Sequence, residues 1–342
     1  MPAARVLLVV NSKSGTGHEP ALGERLRDRL RAHLPDRAVD LAVTSSHAQV
    51  RDAARAFVIA GVGPDAIIVG GGSGTLRAAI EGACLDAVVG GALPTAERLS
   101  IAPLRMGSGN LVAKALGCVK DTDLGLERAA QALAGPKRVP GTIFRVDAGQ
   151  RDGSTKTHLG AAMGGFGAFG HVATDVERWP RSFPRARRAV AGVLGIEAWT
   201  NLEFGGCILA RGLASVVNAS SCERVRLTQG DTTRELRLLA GLLFAFRIPE
   251  YPFEPGTRFG EGRAGLHVVE LPDDPLRRAG LLIAPPGLVG SVEPLLIEPG
   301  RDVRIELLDR ESSEFFLDED PEPFTKWLRI SIAGTLALVP GA

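Results

Sequence analysis

The sequence predicts an α/β chain in two parts. A doubly wound parallel sheet comes first, and a mainly antiparallel β-sandwich or barrel-like part follows. Three observations carry this reading. Short apolar runs alternate with helical segments over the first 138 residues, the pattern of a parallel sheet with helices on both faces. Three of those runs end in turns rich in Gly, Ser and Thr. Beyond about residue 139 the alternation gives way to short strands separated by turns.

In order, strand Val6–Val10 leads to helix Ala21–His33, and strand Val39–Val43 to helix Gln49–Ala60. Strand Ala66–Val69 leads to the Ala-rich helix Thr75–Cys84, and strand Leu99–Pro103 to helix Asn110–Leu116, which Gly117 stops. A further helix covers Asp123–Ala134, and Pro136 to Gly141 read as a linker. Strands then follow at Thr142–Val146, Lys156–Ala161, Cys207–Ala210, Val225–Thr228, Glu235–Ala240, Leu266–Leu271, Leu281–Ala284 and Val303–Glu306. One helix is expected near Ala186–Leu194. The expected domains are residues 1–138 and 139–326.

Composition narrows the function. A chain of 342 residues can bury a sizeable core. Its net charge of +1 gives no argument for nucleic acid. No stretch approaches the roughly twenty apolar residues of a membrane span. Met1 to Arg5 lead straight into a strand, which leaves no room for a signal peptide. Cys84, Cys118, Cys207 and Cys222 lie far apart without metal-ligand spacing. A cytoplasmic, reducing location is the expectation.

The chemistry is written in the turns. Val69-Gly70-Gly71-Gly72-Ser73-Gly74-Thr75 joins an apolar strand to a helix. Glycines there let backbone amides approach a phosphate, and the helix N-terminus adds partial positive charge. Asn11-Ser12-Lys13-Ser14-Gly15-Thr16-Gly17 ends the first strand, and Arg105-Met106-Gly107-Ser108-Gly109-Asn110 ends another. Three such strand ends would converge at the carboxyl edge of one parallel sheet, where open α/β sheets bind ligands. The spacing is neither that of a P-loop nor that of a dinucleotide fingerprint.

These three segments, in this order, resemble the motifs of the diacylglycerol kinase, sphingosine kinase and ceramide kinase superfamily. Thr44 to Ala48, Val146-Asp147-Ala148-Gly149, the basic Arg185 to Arg188 and Phe316 to Asp320 resemble further family segments, and the first third matches most densely. The resemblance implies a Mg²⁺- and ATP-dependent kinase that phosphorylates a lipid hydroxyl. It implies nucleotide contacts from Asn11, Lys13, Thr44, Gly71, Gly72, Gly74, Thr75, Gly107, Ser108 and Asn110. Asp147 and Asp320 would serve the metal, and Asp318 would be the base, against the alternative of an exposed acidic loop. It also implies that strands near Trp327–Ile332 and Leu336–Val339 return to the first domain.

The departures are as informative. Ser73 stands where the family has an Asp that serves metal and transfer, and a serine hydroxyl is a poor Mg²⁺ ligand beside a carboxylate. Leu111, Gly167 and Ala264 also stand where the family tends to keep acids, and Glu319 replaces a glycine. Arg77 and Arg105 border the turns, as phosphate ligands or as solvated arginines. Arg178 to Arg188, with Trp179 and Phe183, read as a surface for anionic lipid headgroups or as a basic interdomain link. Tyr251, Phe253 and Phe259 would add a second apolar loop. A lipid kinase peripherally bound to the inner membrane surface is the leading expectation, its acceptor a sphingoid base, ceramide or diacylglycerol, and a homodimer stays open. The alternatives are a non-catalytic nucleotide- or lipid-binding member and an NAD kinase relative.

Overall fold

A computed structural model describes residues 4–19, 21–61, 63–95, 97–107, 110–182, 200–249, 256–274, 276–278, 294–318 and 320–341. Strands β1 (Arg5–Asn11), β2 (Ala38–Thr44), β3 (Asp65–Gly71) and β4 (Leu99–Arg105) are parallel, in the order β2-β1-β3-β4. Helices α1 (Leu22–His33), α2 (His47–Ile59), α3 (Ser73–Val89), α4 (Leu111–Ala115) and α5 (Thr122–Ala134) connect and cover them.

β1, β3 and β4 are apolar on both faces because both are covered, whereas the edge strand β2 exposes Asp40 and Val43. Alternate residues of β1 divide between two cores: Val6, Leu8 and Val10 meet Leu22, Leu26 and Leu30 of α1 and Leu126 and Leu133 of α5. Leu7 and Val9 instead share a core with Val50 and Phe57 of α2 and Leu76 and Ile80 of α3. The period of two along the strand thus sets which helix lies on which face. Ser46 caps α2 and Asp121 caps α5, each side chain accepting from a first-turn amide.

The remaining strands are β5 (Val139–Gly149), β6 (Thr155–Gly160), β7 (Met163–Phe166), β8 (Glu223–Gln229), β9 (Thr232–Phe244), β10 (Ala264–Glu270), β11 (Leu295–Ile297), β12 (Val303–Leu307), β13 (Ser312–Leu317), β14 (Asp320–Thr325) and β15 (Trp327–Leu338). β15 is the seam of the molecule. It pairs antiparallel with β5 and β12, and its last residues Ala337 and Leu338 pair in parallel with Ser100 and Ile101 of β4. From β12 the sheet continues antiparallel through β8, β9, β7, β13 and β14.

Two local expectations are corrected. Cys207–Ala210 lies inside helix α7 (Thr200–Val217), which follows α6 (Val172–Ser182). A four-residue apolar run fits either element, and here Cys207, Ser215 and Val216 bury one side of a helix. Val139 to Gly141 do not link but open β5, in register with Leu336 to Leu338. The expected strand Leu281–Ala284 and helix Ala186–Leu194 lie outside the described residues.

Candidate functional site

The strand order reverses between β1 and β3, so the crevice of this sheet opens at their carboxyl ends. The Asn11 side-chain amide at the end of β1 donates to the hydroxyl of Thr75, in the first turn of α3, at 2.9 Å. The Asn11 side-chain oxygen Oδ1 in turn accepts from the Lys13 backbone amide at 3.0 Å, which bends the chain after β1. A Cβ on Gly15 would collide with the Met106 carbonyl, and one on Gly107 would lie 2.8 Å from Cα of Gly72. The three glycine turns therefore touch one another, and glycine is what lets them.

Gly72 is different. A Cβ built there meets nothing within 4 Å, so open space lies beside its backbone. Gly72 is also the N-cap of α3, a helix of 17 residues with no acid in its first turn. Its side-chain-free cap leaves the first amides of the helix for a ligand. The Ser73 hydroxyl next to it is buried and has no hydrogen-bond partner among the described residues. A buried hydroxyl without a partner is costly, and an anion beside Gly72 would satisfy it. The residues present fit a phosphate.

Asn110, at φ +40° in the N-cap position of α4, turns its side-chain amide back to the Gly107 carbonyl and makes no capping bond to the helix. Thr44 is buried and its hydroxyl donates to the Val10 carbonyl at 3.4 Å. The Thr44 carbonyl accepts from the amide and hydroxyl of Ser12. Thr44 thus shapes the Asn11 turn from behind, while Lys13 is exposed at its rim. Gly71 packs on the Thr75 side chain. Ser108 and Glu319 lie outside the described residues, as do Phe183 to Arg188, Tyr251 and Phe253.

The acids do not sit as expected. Asp318 is neither an exposed loop residue nor a base facing the turns. It is 3 % exposed, and its carboxylate accepts from the amides of Ala161, Ala162 and Met163 at 2.8–3.0 Å. Burial pushes its carboxyl above the usual range, against the pull of those amides. With φ +47°, it clamps the β6–β7 turn onto β13. Asp147 is also committed: Arg145, Arg329 and Thr157 all donate to it at 2.7–2.8 Å. Burial opposes its ionisation, but those donors hold it below the usual carboxylate range.

Asp320 is the carboxylate that reaches the turn. A Cβ on Gly74 would lie 2.6 Å from its Oδ1 and 2.6 Å from Cε1 of His47. His47 Nδ1 is 3.4 Å, and Arg77 Nη1 3.5 Å, from Asp320 Oδ2. Burial raises the Asp320 carboxyl to about 6, with His47 and Arg77 pulling the other way. Arg77 is no solvated arginine: it is buried, and Glu81, Glu322 and His158 surround its guanidinium at 2.7–3.0 Å. His158 and Arg77 hold the Glu322 carboxyl well below its usual range in spite of burial. This ionic knot joins α3 to β6 and β14.

The two expected metal ligands are thus engaged by protein cations. Among the described residues no group of three or more His, Cys, Asp or Glu could hold a metal ion. The donor set does not by itself make a divalent-cation site. Sequence reasoning missed His47 and Glu322. The helix-opening Ser45-Ser46-His47 was visible in the sequence, but its proximity to Asp320 depends on how β14 lies against α3.

Residues 5–140 match the family model of the diacylglycerol kinase catalytic domain. The crystal structure of "a putative diacylglycerol kinase from Bacillus anthracis str. Sterne" is similar over 98 % of this chain and 97 % of that chain, at 14 % identity and a TM-score of 0.59. Another, of a diacylglycerol kinase from the same organism, is similar over 98 % and 96 %, at 13 % identity and a TM-score of 0.55. At such identities the structural likeness is one of fold. No curated protein matches this chain.

Proposed function

We propose that the chain, whose residues 5–140 match the diacylglycerol kinase catalytic domain, transfers the γ-phosphoryl group of ATP to the hydroxyl of a lipid. The observation that carries this is the open space beside Gly72 at the N-terminus of α3, next in sequence to Ser73, whose buried hydroxyl has no partner among the described residues. The α3 amides and helix dipole would hold phosphate oxygens, and the Ser73 hydroxyl would donate to one of them. Asn11 and Thr75 fix the wall on one side, and Gly107 and Asn110 on the other. Lys13 is placed to meet phosphate at the rim, where a mobile ammonium acts as a point charge.

Mg²⁺ ordinarily takes one or two protein carboxylates together with substrate phosphates. In this reading the ion arrives on the nucleotide and belongs to the substrate. The part beginning with β5 at about residue 139 would carry the lipid side, with the end of β15 returned to the first sheet. The acceptor wording of Gly107-Ser108-Gly109-Asn110 favours a sphingoid base, with ceramide and diacylglycerol in the same class. The basic segment from Arg178 to Arg188 would meet anionic lipid. No helix among the described residues is long and apolar enough to cross a membrane.

A second reading has its own support. Ser73 in place of an acid, with Asp147 and Asp318 both saturated, suits a member that binds nucleotide without turning it over. One experiment separates the two: incubation with γ-labelled ATP, Mg²⁺ or Mn²⁺ and a panel of sphingoid bases, ceramides and diacylglycerols. A labelled lipid supports the kinase. ATP binding with no lipid labelled supports the second reading, and absence of ATP binding defeats both.

A further inference from the structure

A cavity of about 440 Å³ that shares no residue with the glycine turns lies among the β5–β6 turn, the start of β13 and the β14–β15 turn. Arg151, Ser312, Thr325 and Lys326 line it, and their side chains make no hydrogen bond or ion pair with any described residue. Trp327 lines it too. Arg304 lies over the Trp327 ring at 5.0 Å from its centroid, while the indole Nε1 is turned toward Gly149, where a Cβ would come within 2.9 Å of it. The indole N–H is a donor and never an acceptor. Glu311 is the one carboxylate in the lining, and it is exposed. Asp152 in the neighbouring turn is already taken up by the amide and hydroxyl of Ser154.

Lys326 stands out by its backbone. Its φ of +64° is a left-handed conformation that lysine rarely adopts and glycine takes freely. The turn holds it there: the Lys326 amide donates to the Glu311 carbonyl at 3.0 Å, and the Lys326 carbonyl accepts from the Leu307 amide at 2.7 Å. Glycine would suit this turn better. A lysine kept at a strained position is the mark of a side chain with a task.

We propose that this cavity binds a phosphate monoester, with Arg151 and Lys326 on its oxygens and the Trp327 indole N–H donating to one of them. A monoester carries about −1.5 to −2 at pH 7, which two cations match, and charge-assisted bonds of this kind are the strong ones. The same chemistry comes from a lipid headgroup or from a small soluble ester. The proposal does not rest on the kinase reading.

The test follows the Trp327 indole N–H of the ¹⁵N-labelled full chain, assigned with Trp327→Phe, through titrations with inorganic phosphate and glycerol 3-phosphate at constant ionic strength. The resonance should move saturably. Lys326→Gly removes the ammonium and relieves the backbone, so its melting temperature should hold or rise while affinity falls at least about tenfold. Arg151→Gln, at an exposed residue, should weaken binding likewise. A Trp327 resonance that does not respond, or unchanged affinity in both variants, overturns the proposal. So does a response that disappears in Gly72→Ala, since it would belong to the glycine turns. Sedimentation with phosphatidylcholine vesicles, with and without phosphatidic acid, then identifies the source. Loss of the phosphatidic acid-dependent binding in Lys326→Gly assigns the site to a lipid headgroup. Retained vesicle binding beside a lost phosphate titration assigns it to a soluble ester.

Discussion

Gly72→Ala separates a ligand site from a structural turn. Gly72 has φ −91° and ψ −173°, extended backbone that alanine adopts without strain. The added methyl meets no atom within 4 Å, so the fold should lose less than about 0.5 kcal/mol, the usual range for a substitution that touches nothing. The same methyl occupies the space where phosphate should approach the α3 amides. Displacing a phosphate oxygen from one charge-assisted amide bond costs about 1.5–3 kcal/mol, or roughly ten- to a hundredfold in affinity. Gly107→Ala is the contrast: its methyl would lie 2.8 Å from Cα of Gly72, and overpacking of backbone against backbone costs about 1–3 kcal/mol of stability. Calorimetric ATP titration and thermal unfolding of both variants test the pair. Gly72→Ala should keep its melting temperature within about 2 °C and bind ATP at least tenfold more weakly. Unchanged affinity in a folded Gly72→Ala protein would refute the placement of the phosphates.

Asp318→Asn should lower stability in urea unfolding by about 1–3 kcal/mol, because its NH2 group replaces one of the two oxygens that accept from the Ala161, Ala162 and Met163 amides and leaves a buried N–H without an acceptor; an unchanged midpoint would show that Asp318 is not the clamp of the β6–β7 turn. His171 lies between Glu223 and Glu314 at 3.4 and 3.2 Å, and its bond to Glu223 raises it above its usual value despite burial. Its contribution is therefore complete below the unfolded value of about 6.5 and is lost as pH rises through the folded value, so Glu223→Gln should destabilise at pH 6 and hardly at pH 9. Ser73→Asp restores the carboxylate that the family keeps and should raise turnover or sharpen Mg²⁺ dependence; a silent wild type awakened by it would favour the non-catalytic reading. Neutralising Arg185, Arg187 and Arg188 should weaken sedimentation with anionic liposomes, most clearly below 0.1 M salt, where the Debye length exceeds about 10 Å. Equal binding to neutral vesicles would leave that segment a plain link.

Local pattern made the first sheet legible. Its strands β1, β3 and β4 are buried on both faces and α1, α2 and α5 each carry one apolar side, so the local pattern places those three helices within one or two residues. The meeting of the glycine turns at one sheet edge was legible too, because each follows a strand of the parallel sheet. What sequence could not give depends on pairing between distant segments. β14 carries Pro321 and Pro323 and reads as a loop, yet it pairs with β13; a proline-bearing strand is tolerated there because β14 is an edge. The roles of Asp318 and Asp320 hinge on that pairing. Two residues apart on one chain, they face opposite fates: one is drawn into the β6–β7 turn, the other delivered to the glycine turn.

The distribution of charge follows from the same geometry. Where a carboxylate is missing from the centre of the turn, the surrounding acids are not left to repel one another or an incoming triphosphate. Asp147 is matched by Arg145 and Arg329, and Glu81 and Glu322 by the buried Arg77. A buried guanidinium is retained only when several acids face it, because its desolvation cost exceeds what a single pair returns. Removing Arg77 would leave Glu81 and Glu322 uncompensated in the interior, whereas a divalent ion at that position could dissociate with the nucleotide. As a fixed internal cation, Arg77 ties α3 to β14, the strand that carries Asp320 and Glu322. The N-terminal turn of α3 carries no acid of its own, and the Asp320 carboxylate that lies over Gly74 is faced by His47 and Arg77.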